Sequence, residues 1–230
     1  MPKNIIDSHI NVLDHGLVRL VDSMGSDLSV VRSARVSYDA EWRSGEDSDK
    51  DAKLLNYLIK NKHTSPFEAC TFTFEVKAPI FVLRQWHRHR TWSFNEISAR
   101  YAELPEEYYI PAKEDITTQS SSNKQMRTKD VNPNAIFHQE SIRNANKASF
   151  VAYKKMLAND VPRELARSVL PLGTYSHMFA TVDLHNLMHF LNLRLHEHSQ
   201  YEIRVYAEAM LQLIEPIVPI CTAAFKKHIL

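Results

Sequence analysis

The sequence predicts an α+β fold, a single domain over residues 1–230 with a central antiparallel sheet and flanking helices on one side. Three observations predict it. Gly16 to Met24 and Cys70 to Lys77 alternate apolar and polar side chains, with Phe72, Phe74 and Val76 falling at every second place, the period of a half-buried strand. Other stretches carry apolar residues at helical spacing, as Leu54, Leu55, Leu58 and Ile59 do between Asp49 and Lys62. No internal repeat or linker divides the 230 residues, a length that supports one sizeable core.

Taken in order, Gly16 to Met24 reads as a strand and Asp27 to Ser37 as a short helix with Ser26 as N-cap. A polar loop from Asp39 to Ser48 leads into the helix from Asp49 to Lys62. After the strand Cys70 to Lys77, Pro79 stands where a helix favours its first residue, and Ile80 to His89 continues helical. The next segment runs out into a loop. Glu114 to Val131 is polar, rich in Ser and Lys, and reads as an exposed, mobile loop or hairpin tip. Helices follow over Pro133 to Leu157 and Pro162 to Val169, then a strand over Leu172 to Val182. Asp183, a natural N-cap, opens a helix to Leu195, and Gln200 to Ile214 forms the last helix of this reading.

Composition narrows the class of function. Twenty-eight Lys and Arg against 27 Asp and Glu leave a formal charge of +1, without the basic excess of a dedicated nucleic-acid binder. The two cysteines, Cys70 and Cys221, read as reduced thiols. No signal peptide and no spanning apolar run is legible, so the expected place is the cytoplasm, or a host cytoplasm for a viral gene, with no membrane partner.

The chemistry concentrates between Arg84 and Tyr101, where Arg84, Arg88, Arg90 and Arg100 are interleaved with Trp86, His87, His89 and Trp92. Guanidinium forks hold phosphates and planar carbonyls with two parallel bonds. Ser93, Asn95, Glu96 and Ser98 place small donors and acceptors beside them. Such a cluster suits a flat, anionic, hydrogen-bonding ligand, and a nucleotide has that chemistry. An arginine-rich solvated helix face is the blander alternative, but Trp92 and Phe94 are too apolar for an idle surface.

The pattern Arg88-His89-Arg90, seven residues, Ser98, then Ala-Arg-Tyr resembles the signature of the flavin-dependent thymidylate synthases. The resemblance extends to His63-Thr-Ser-Pro-Phe-Glu68, Pro162-Arg-Glu-Leu-Ala-Arg167 with Leu170-Pro-Leu172, Leu187 to Arg194, and Gln200-Tyr-Glu-Ile-Arg204. It implies a methyltransferase that makes dTMP from dUMP, with 5,10-methylenetetrahydrofolate as one-carbon donor and FAD, reduced by NADPH, as hydride source. It also implies a homotetramer with sites between subunits. In that resemblance Gln85, Arg88, Glu96, Ser98, Ala99, Arg100, Arg167 and Arg194 contact dUMP. His63, Ser65, Arg88, His89, Arg90, Asn95, Glu96, Asp183, His185 and His189 lie at FAD. Arg194 is the expected catalytic group, favouring negative charge on the uracil ring without a covalent enzyme nucleophile.

Ser98 reads as a phosphate-binding hydroxyl, since a bare hydroxyl is a weak nucleophile without an adjacent base. Some family members carry Asn, Arg and Asn where this chain has Asp183, His185 and His189; others share its Asp-Leu-His. His185 and His189, four apart, invite a zinc reading, but Asn186 stands where a His-Glu-x-x-His protease has its Glu, and no metal is expected. A lone ion pair with Glu197 or Glu202 is the alternative role for Arg194.

Overall fold

The structure is a computed structural model and describes residues 5–230. Strands β1 (His9–Val12) and β2 (Gly16–Met24) lead to helices α1 (Asp27–Val36) and α2 (Ser48–Lys60). Strand β3 (Thr71–Pro79), helix α3 (Ile80–Trp86) and strand β4 (Ser93–Glu96) follow, then a hairpin of β5 (Thr117–Gln119) and β6 (Arg127–Val131). Helices α4 (Ala135–Ala158) and α5 (Arg163–Ala166) precede strand β7 (Tyr175–Asp183), and α6 (Leu184–Arg194), α7 (Tyr201–Ile214) and α8 (Pro219–His228) complete the order.

Five strands form an antiparallel sheet in the order β1-β2-β3-β7-β4. The period of two sorts its side chains. Phe72, Phe74, Val76 and Ala78 of β3 and Met178, Ala180 and Val182 of β7 point into one buried cluster with Trp86, Phe190 and Tyr206 from the helices. The alternate positions form a polar face. There Arg19 bridges Asp7 and Glu75, His177 meets Glu75 at 2.6 Å, and the hydroxyls of Thr73 and Thr181 bond across the strands at 2.9 Å. A smaller cluster joins Phe150 and Tyr153 of α4 to Ala166 of α5.

The sequence explains the local starts and stops. Ser26 caps α1 and exchanges bonds with Ser29. Asp47, two residues before the expected start at Asp49, caps α2 by accepting from the amides of Asp49 and Lys50. Asp183 caps α6 through the Asn186 amide at 2.9 Å. Gly16 is obligatory: a Cβ there would stand 2.2 Å from the Tyr206 hydroxyl, which donates to the Lys77 carbonyl at 2.8 Å. Asp27, buried at the start of α1, reaches across the molecule and accepts from the amides of Ile220 (2.8 Å) and Cys221 (2.9 Å), capping the N-terminal turn of α8.

Several elements add to or depart from the sequence reading. The helix expected to His89 stops at Trp86, with His87 as its C-cap. The loop expected beyond it contains β4, which pairs with β7. Of the two readings of the polar stretch 114–131, loop or hairpin tip, the structure shows the β5–β6 hairpin. Helix α8 lies past Ile214, where that reading ended its helices, and β1 precedes the first strand it named.

Candidate functional site

Two clefts receive most of the chemistry. The first, of 410 Å³, lies where the end of α3, the end of β4 and the turn after α5 converge. Its polar lining is Arg84 and His87 from α3, Glu96 and Ser98 from β4 and its exit, Arg167, and Ser176 on β7; Ala99, Ile97, Leu83 and Leu104 add apolar wall.

The backbone that builds it is fixed by packing. The first amides of α3 donate to carbonyls just before β7, Ile80 to Thr174 at 3.0 Å and Phe81 to Leu172 at 3.1 Å. Trp86, fully buried, stacks on Phe190 at 4.8 Å and meets Trp92 edge-on at 5.8 Å; Trp92 in turn stacks on Phe94 at 6.0 Å. Trp92 and Phe94, too apolar for an idle surface, thus join Trp86 as the brace of the arginine-rich segment. Register does the rest. Glu96 pairs with Met178, and the Ile97 amide donates to the His177 carbonyl at 2.8 Å, which carries Ser98 and Ala99 to the cleft wall.

Within the cleft the Ser176 hydroxyl donates to one oxygen of Glu96, and His87 Nε2 stands 3.9 Å from the other. Ser98 Oγ accepts from the Arg100 amide at 3.3 Å, and among the described residues no histidine or carboxylate bonds to it. Arg100 itself is exposed, 3.7 Å from Glu164.

Gln85 and Arg88 do not line this cleft. Gln85 hydrogen-bonds Gln200 ahead of α7, while Arg88, Arg90 and Asn95 are exposed. His89 is buried and accepts at Nε2 from Arg194 Nε, 3.1 Å away. An accepting Nε2 requires the neutral ring. Burial above all, then the charge of Arg194 and the nearby His189, push the His89 pKa down to about 4. Burial also lowers the pKa of Arg194. Neither acid weighed as a partner for Arg194 reaches it: Glu202 pairs with Arg127 at 3.1 Å and Glu197 stands by His198 at 3.4 Å.

The second cleft, of 240 Å³, is mostly apolar. His185, Met188 and His189 of α6 line it with Phe67, Thr64, Lys62 and Phe225. His63 and Ser65 are exposed on the adjoining turn, the His63 ring lying edge-on to Tyr57 at 5.6 Å. Phe67, Met188 and the His189 ring suit one flat aromatic ring. The volume is below the roughly 300–1,000 Å³ that encloses a drug-sized ligand. Asp183 spends its carboxylate on Asn186, through both the amide (2.9 Å) and the side chain (2.6 Å). Among the described residues no three His, Cys, Asp or Glu side chains converge as a metal site, and no helix is long and apolar enough to cross a membrane. Both thiols are fully buried; burial pushes Cys70 up to about 12 and raises Cys221 further.

The structure therefore joins Glu96, Ser98, Ala99 and Arg167, and separately His89 with Arg194 and His185 with His189. It brings in Arg84 and His87, which the sequence reading placed in the arginine-rich cluster without a specific contact, and adds Ser176, which that reading did not name. Ser176 had a signal: it is a hydroxyl in the inward row of β7 whose other members are Met178, Ala180 and Val182.

Comparison with known proteins agrees along nearly the whole chain. The family model described as thymidylate synthase complementing protein matches residues 19–220. A flavin-dependent thymidylate synthase of Treponema denticola is 47% identical over 225 residues, covering 97% of this chain and 84% of the relative. The protein of that name from Thermus thermophilus is 46% identical over 224 residues, covering 96% and 79%. The crystal structure of the UMP/dUMP methylase PolB from Streptomyces cacaoi, bound with 5-Br dUMP, superposes with a TM-score of 0.87 at 36% identity, covering 96% of this chain and 98% of that one. On the family model and these near-full-length relatives, the chain belongs to the thymidylate synthase complementing protein family, whose curated relatives are flavin-dependent thymidylate synthases.

Proposed function

We propose that this chain methylates dUMP to dTMP in the cytoplasm, taking the one-carbon unit from 5,10-methylenetetrahydrofolate. FAD reduced by NADPH supplies the hydride when bound; the protein supplies binding and electrostatics. The observation that carries the reading is the 410 Å³ cleft, where residues from three separate segments, Glu96 and Ser98, Arg167, and Arg84, meet around one opening.

In this reading Arg167 and Ser98 hold the nucleotide, with Arg100 at the rim. Glu96, fixed by Ser176, accepts from a ligand donor. Arg194 is a half-buried cation held by a neutral imidazole and paired with no acid among the described residues, so its charge is available to a uracil anion. Neither cysteine lines either of these two clefts, and both thiols are held neutral, which supports activation of dUMP without an enzyme thiolate. His185 and His189 would take the flavin ring or adenine in the second cleft, with His63 and Ser65 at its edge and Arg88, His89, Arg90 and Asn95 toward the cofactor.

Gln85 and Arg88 do not line the cleft that Glu96 and Ser98 line. The exposed apolar side chains Tyr101, Leu165 and Leu172 stand near that cleft in sequence. Both facts support a homotetramer in which a second copy completes each site.

The test is direct. Protein loaded with FAD should show flavin absorbance that bleaches with NADPH and returns on adding dUMP and methylenetetrahydrofolate, with dTMP formed in proportion. A protein that binds dUMP but forms no dTMP under those conditions would sink the reaction.

A further inference from the structure

The nucleotide reading of the first cleft leaves one lining residue without a role. His87 caps the C-terminal end of α3, and its ring lies edge-on to Phe94 at 4.8 Å. Its Nε2 is buried, and among the described residues no group hydrogen-bonds to it. The Glu96 carboxylate, at 3.9 Å, is beyond hydrogen-bonding distance, and its other oxygen is already engaged by Ser176. A buried polar atom without a partner is destabilising unless a ligand satisfies it.

The neighbours of His87 indicate which ligand. Arg84, one turn earlier on α3, lines the same cleft and pairs with no acid among the described residues. Arg167, from the opposite wall, donates only to the Glu164 carbonyl, at 3.3 Å. Two guanidinium groups without carboxylate partners among the described residues and the His87 ring thus line a single volume. The one carboxylate there, Glu96, is held by a hydroxyl.

Resting on the nucleotide reading, we infer that His87 is a phosphate-binding residue: with Arg84 and Arg167 it forms an oxyanion subsite, its Nε2–H donating to a phosphate oxygen of the nucleoside monophosphate. The subsite selects for the phosphorylated form of the ligand rather than for the base.

Calorimetric titration of the FAD-loaded protein with dUMP and with deoxyuridine tests this. His87→Phe and His87→Leu remove the donor, and His87→Gln returns an N–H. Both removal variants should bind dUMP about tenfold more weakly, as for loss of one bond to a charged group, and bind deoxyuridine within about twofold of the parent. His87→Gln should recover part of the dUMP affinity. Unchanged dUMP binding in either folded removal variant, or equal losses for both ligands, would overturn the inference and leave the nucleotide reading intact. A parent protein that binds neither ligand would overturn both.

Discussion

Arg194 concentrates the chemistry at the scale of single residues. A half-buried guanidinium with an imidazole acceptor at 3.1 Å and no acid beside it is poorly explained by stability alone. Arg194→Ala should therefore lower kcat by about 10²–10³-fold while moving Tm by less than about 3 °C. Wild-type turnover at saturating dUMP would remove Arg194 from the mechanism. His89 yields a pH prediction. Its folded pKa, about 4, lies below the ordinary value of 6.5, so the unfolded chain binds the extra proton between those two values. The stability it contributes is complete above pH 6.5 and is lost as pH falls toward 4. Urea unfolding at pH 5 and pH 7.5 should show a smaller pH dependence in His89→Gln than in the parent. The arginines, Glu96 and Ser98 were legible because their types and spacing declare anion chemistry. His87 and Ser176 were not, because their roles depend on a cleft assembled from segments about ninety positions apart.

At the scale of elements, the hairpin of β5 and β6 shows how a polar stretch acquires structure. Its own alternation is weak. Its anchor lies elsewhere, in Glu202 at the start of α7, which is buried and bonded by Arg127 (3.1 Å), Tyr109 (3.2 Å) and Gln200 (2.8 Å). Arg127 also donates to the Asp115 carbonyl at 3.1 Å, tying both ends of the hairpin together. Glu202→Ala should cost about 3 kcal/mol, the low end for breaking a buried pair because Arg127 can still reach water. It should also raise hydrogen exchange at Met126 and Asn132. Unchanged exchange at those amides would mean the hairpin holds itself. The long helices, β3 and β7 were readable from periodicity. Strand β4 was not: Ser-Phe-Asn-Glu has no apolar alternation and exists through its pairing with β7.

For the whole molecule, the proposed nucleotide roles of Gln85 and Arg88, which do not line the Glu96–Arg167 cleft, predict that activity depends on assembly. Arg88→Ala and Arg167→Ala, each inactive alone, should regain dTMP formation when co-expressed in mixed oligomers. No recovery would place the complete site within one copy. The sequence bore the layered plan, because strand and helix periods are local. It could not convey which segments close the core, and the Asp27 carboxylate on α8 is an instance. Its partners lie 193 and 194 positions further along, and α2 packs on the same helix. During synthesis α1 and α2 leave the ribosome with that carboxylate and their apolar faces uncovered, and must wait for nearly the whole remaining chain. The early third of the nascent protein is thus the part most exposed to aggregation and to chaperone capture. Shortening the last helix would do its damage there, far from any group that touches a nucleotide.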